Sequence, residues 1–185
     1  TDCSAAGVLT IGPDSSVVST SSYIKLSFYD IILNGYISSG SERLRVAVCP
    51  NRTFVLGGDN QTNSKGAVLE RKELQRITAV NMSIDVPKGD MTVYRLEPFD
   101  TKEIKGVLFL DVGYSIDFTS YTGVKALEAI AQNRTRIQKK MYSTHGDLVF
   151  YGQADVDISR NVTITSNRGR IYFNTTGEAL YLGAP

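Results

Sequence analysis

The residues whose spacing alone spells out a chemistry are asparagines. N-x-S/T triplets put acceptor amides at Asn51, Asn60, Asn81, Asn133, Asn161 and Asn174. The chain has nine asparagines, and its Ser and Thr content would place about 1.6 of them in such triplets by chance. Six in nine points to N-linked glycosylation of an exported, sugar-covered surface. The two cysteines, Cys3 and Cys49, fit that compartment, where an even count suggests a disulfide.

Catalytic chemistry is harder to assemble. The single histidine, His145, rules out a zinc site of the usual His/Cys type and sits in the polar stretch Ser143 to Asp147, which reads as a surface turn. No G-x-S-x-G elbow accompanies it, and no phosphate-cradling glycine loop precedes a helix. Carboxylate pairs that could serve glycoside hydrolysis are Asp111 with Asp117 and Asp155 with Asp157. The second pair alternates with Val156 and Ile158, as the solvated face of a strand would. Asp59-Asn60 is a polar loop that could attract calcium, but no calcium-binding motif surrounds it. The ten tyrosines suit sheet packing or a carbohydrate-stacking surface. The reading is of a protein without catalytic residues, metal or cofactor. A formal charge of +1 gives no electrostatic case for nucleic acid, and no apolar run is long enough to span a membrane.

The elements that must position these residues read as strands. Tyr23 to Phe28, Leu44 to Val48 and Val80 to Val86 alternate apolar and polar residues with period two. Asn34-Gly35 and the Asn167 to Gly169 turn read as hairpins, and Met91 to Leu96 as the hairpin partner of the preceding strand. Gly106 to Val112 is nearly all apolar and predicts a strand covered on both faces. Gly123 to Gln132 has helical spacing, whereas Ala67 to Ile77 fits either a short helix or an edge strand. About twelve strands with one short helix and no internal repeat predict an all-β, Ig-like β-sandwich. The Ser-rich run Asp14 to Ser22 reads as a hinge, dividing the chain into a tail, residues 1–20, and a head, residues 21–185. Residues 1–20 read as a mature N-terminus from which an export signal has been removed.

A short apolar strand ahead of a Ser-rich hinge, a sandwich and scattered sequons together resemble the thread-filament subunit of thermoacidophilic archaea of the Sulfolobus type, a type 1 pilin-like fold. That resemblance rests on Gly7 to Val18 and the six sequons. It implies an extracellular glycosylated filament, a homopolymer built by donor-strand complementation. The donor residues would be Val8, Leu9, Ile11, Val17 and Val18, inserted into the next subunit. Cys3 would then bridge to Cys49 within one subunit or between neighbours. The alternative is a monomeric glycosylated β-sandwich: a surface adhesin, receptor or viral ectodomain.

Overall fold

A computed structural model describes residues 7–59, 66–176 and 179–184. All of the strand ladders are parallel. They wind into a β-solenoid of about eight turns. The predicted Ig-like sandwich is therefore corrected: sandwiches of that class are antiparallel, and here each strand pairs with its equivalent one turn away.

Two long sheets run the length of the solenoid. The first stacks Ile24–Phe28, Arg43–Val48, Asn81–Val86, Leu108–Val112, Leu127–Ala131, Leu148–Gly152 and Ile171–Thr175. The second stacks Ala67–Leu69, Phe54–Gly57, Met91–Tyr94, Ile116–Phe118, Arg134–Ile137, Asp155–Ser159 and Ala179–Ala184. Three smaller ladders complete the wall.

Period-two alternation does the folding work. Every second side chain points inward, so Leu44, Met82, Leu108, Leu127 and Leu148 form one continuous buried column in exact register with Ile171 beyond them. A second column runs through Val46, Ile84, Leu110, Ala129 and Phe150. Phe150 packs edge-on against Phe118 of the facing sheet at 5.9 Å and stacks on Phe173 of the next turn at 5.2 Å. Corners close the coil, and Gly57 shows why one of them needs glycine: its φ is +88°, and a Cβ there would meet the Tyr94 carbonyl oxygen at 2.5 Å.

One turn is longer than the rest. After Phe54–Gly57 the chain returns to lay Ala67–Leu69 beside that same strand, then forms a short helix, Arg71–Leu74. The ambiguous stretch Ala67 to Ile77 is thus both strand and helix. Glu73 closes a reciprocal capping box with Glu70 and also accepts the Leu33 N–H at 2.7 Å, tying the detour to the turn below. Burial, ahead of the neighbouring carboxylates, raises the Glu73 pKa. Asp100, with a fully buried side chain, accepts from Arg71 Nε and Gln75 Nε2, each at 2.7 Å, and holds the helix from above.

Further corrections follow. Gly123 to Gln132 falls on two strands, Thr122–Val124, buried throughout, and Leu127–Ala131, which buries alternate residues, and the apparent helical face is coincidental. Asn34-Gly35 and Asn167 to Gly169 are corners between parallel coils, and Met91–Tyr94 lies in a different sheet from Asn81–Val86. Leu108–Val112 is covered on one face only, with Asp111 exposed. The donor-strand reading fails too. Val8–Ile11 pairs with Asp30–Leu33 of its own chain, and Ser16–Val18 pairs with Tyr36–Ser38. Ile11 is buried in its own core; Leu9 and Val17 pack against that core, while Val8 and Val18 face outward. The archaeal pilin resemblance is overturned with it, since a strand already laddered in its own coil is not available to a neighbour. No helix among the described residues is long and apolar enough to cross a membrane.

Candidate functional site on the outer face of the first sheet

The outward residues of the first long sheet form two columns. One reads Lys25, Arg45, Ser83, Phe109, Glu128, Val149 and Tyr172. The other reads Ser27, Ala47, Asp85, Asp111, Ile130, Tyr151 and Asn174. Along the solenoid axis the face passes from cationic through acidic to aromatic. Parallel register enforces this grouping, because residues separated by roughly 20 to 40 positions in sequence become neighbours at about 4.8 Å.

The acidic centre is a cavity of ≈ 220 Å³ lined by Arg45, Ser83, Asp85, Phe109, Asp111 and Glu128, among others. Asp85 and Asp111 are direct register partners. Arg45 donates from Nε to Asp85, and the Arg43 guanidinium lies 4.9 Å from the centroid of the Phe109 ring. Desolvation on this crowded face raises the Asp111 pKa, the Asp85 charge adds to the rise, and Arg45 opposes it. The Ser83 hydroxyl is buried and has no hydrogen-bond partner among the described residues. The site therefore offers carboxylate oxygens as acceptors and, at Asp111, a carboxyl that takes up a proton more readily than usual. Those are groups suited to sugar hydroxyls.

The aromatic end carries two further open cavities. One, of ≈ 280 Å³, runs over Glu128, Ile130, Tyr151 and Asn174; the other, of ≈ 330 Å³, lies between Val149, Tyr151, Tyr172 and Asn174. Tyr151 is half-buried and Tyr172 exposed, so both present ring surface to solvent.

Of the two carboxylate pairs, Asp155 and Asp157 share the outward face of one strand, as their alternation with Val156 and Ile158 implied, whereas Asp111 and Asp117 are not brought together. Asp111 lies on the first sheet and Asp117 on the second. Asp117 instead faces Arg136 at 3.8 Å, and Asp157 faces Arg134 at 3.8 Å and Arg136 at 4.0 Å. The actual neighbour of Asp111 is Asp85, which sequence reading missed; its signal is the shared apolar–acidic alternation of Met82 to Val86 and Leu108 to Val112. Among the described residues no group of His, Cys, Asp and Glu could hold a metal ion. His145 is exposed, its Nδ1 within 2.9 Å of the Thr144 hydroxyl.

The sequons fall at distinct places. Asn51 and Asn133 are exposed at the corner leading from the first sheet to the second, and Asn161 is exposed at the next corner. Asn51 and Asn161 adopt left-handed backbone, φ 62° and 60°, which asparagine tolerates better than most residues. Asn81 is half-buried, and its Oδ1 accepts the Val107 N–H at 2.8 Å. Asn174 is exposed on the groove face. Asn60 lies outside the described residues. So does Cys3; Cys49 is buried just beyond the end of its strand and is not a free thiol. No protein-family model, curated protein or solved structure matches this chain.

Proposed function

We propose that this is an exported, N-glycosylated surface protein whose solenoid binds an extended carbohydrate chain along the outer face of the first long sheet, without catalysing its breakdown. The observation that carries this reading is the in-register pairing of Asp85 with Asp111, with Phe109 beside Asp111 on the same strand and Tyr151 and Tyr172 further along the same face. Like charges in adjacent rungs oppose folding. A ligand whose hydroxyls donate to both carboxylates would relieve that repulsion on binding. Tyrosine and phenylalanine rings offer flat apolar surface to the C–H faces of β-linked sugars. The three central carboxylates disfavour polyuronates and the adjoining Arg43 and Arg45 disfavour cationic amino-sugar polymers, so the ligand class is a neutral β-linked glycan.

Affinity electrophoresis against a neutral β-glucan, chitosan oligosaccharide and polygalacturonate tests the reading. The neutral glucan should retard the protein, and Tyr151→Ala should weaken that retardation about tenfold with an unchanged melting temperature. Equal mobility on all three polymers would sink it. Release of reducing ends from the glucan would instead assign the carboxylates to hydrolysis.

A further inference from the structure

One sequon belongs to the groove itself. Asn174 is the register partner of Tyr151, and it lines both cavities of the aromatic end, one of them together with Tyr172. Its triplet is completed by Thr176, which is exposed and whose hydroxyl donates to the Gln153 carbonyl at 3.3 Å. None of the other described sequons shares this placement. Asn51, Asn133 and Asn161 sit at corners, and the Asn81 amide is engaged with the adjacent coil.

We propose that the sugar chain on Asn174 lies back along the aromatic end of the groove and acts as a tethered occupant that an incoming glycan must displace. The inference rests on the carbohydrate-binding reading above. The geometry makes the contact local. Neighbouring strands are about 4.8 Å apart and the side chains share one face, so the first sugar on Asn174 falls within reach of the Tyr151 ring. The cavities beside it are sized for small rings. A tether of one side chain gives a high effective concentration, so even weak stacking keeps the site filled. The glycan thereby sets a threshold: only a longer chain, which also engages Asp85, Asp111 and Phe109, competes.

The test uses the full chain from a glycosylating host, with Asn174→Gln and Asn133→Gln as paired variants. Glycopeptide mass spectrometry should find Asn174 occupied. Acetylation of tyrosine by N-acetylimidazole should modify Tyr151 and Tyr172 several-fold more slowly in the parent and in Asn133→Gln than in Asn174→Gln. Retardation by the neutral β-glucan should strengthen about tenfold in Asn174→Gln alone. An unmodified Asn174 beside an occupied Asn133 overturns the proposal, as does equal tyrosine reactivity in the two variants. If no form binds the glucan, the carbohydrate-binding reading falls. The tyrosine protection then still decides where the Asn174 sugar lies.

Discussion

The two long sheets share one architecture and treat charge in opposite ways. On the outer face of the second sheet the column Asp117, Arg136, Asp157 alternates in sign from rung to rung. Each charge has an opposite neighbour above or below, at 3.8 to 4.0 Å. On the first sheet Asp85 and Asp111 occupy adjacent rungs with the same sign, and only Arg45 offsets them. Parallel in-register stacking amplifies whichever choice is made, because each residue has its equivalents directly above and below. A solenoid can satisfy its ladders easily, so the rung that does not is the one to suspect of binding something.

The contrast can be broken at its common support. Phe150 is fully buried between the sheets, so Phe150→Ala should cost about 3–5 kcal/mol and lower the thermal midpoint of the whole chain. A loss confined to groove binding, with an unchanged midpoint, would mean the two faces are not mechanically coupled. Next in size, Asp157→Lys places a third cation beside Arg134 and Arg136 and should cost about 1–2 kcal/mol by chemical denaturation. The corresponding change on the first sheet should act in the opposite direction. Asp111→Asn removes the repulsion with Asp85 and should stabilise by roughly 0.5 kcal/mol while weakening glycan retardation.

The smallest effect is a pH dependence. Because the folded pKa of Asp111 is raised, the native state binds more protons than the unfolded chain between the ordinary aspartate value and the raised one. That contribution to stability is full below the unfolded pKa and is lost as pH rises through the folded pKa. Denaturation at stepped pH across the acid range should show this decline as a difference between the parent and Asp111→Asn.

Much of the local structure was legible in the residues. The alternation in Ile24 to Phe28, Leu44 to Val48 and Met82 to Val86 identified real strands with the correct inward faces. The direction of pairing was not legible, because period two is the same in parallel and antiparallel ladders. The repeat was hidden as well. Equivalent residues such as Leu44, Met82, Leu108 and Leu127 are separated by steps of about 19 to about 38 residues, since corners vary and one turn carries the detour from Gly58 to Arg76. The first twenty residues looked detachable for the same reason: a short apolar strand carries no mark of whose ladder it joins.

By itself the sequence determined an all-β chain, its inward-facing residues and a density of N-x-S/T triplets above chance. It could do so because alternation and N-x-S/T triplets are local properties. Only the tertiary structure decided that Ile11 is buried in its own coil, that Asp111 faces Asp85 instead of Asp117, and that Asn174 stands beside Tyr151. Those are questions of register between distant strands, and register is settled by stacking whole turns on one another, where each inward column must fill without a gap.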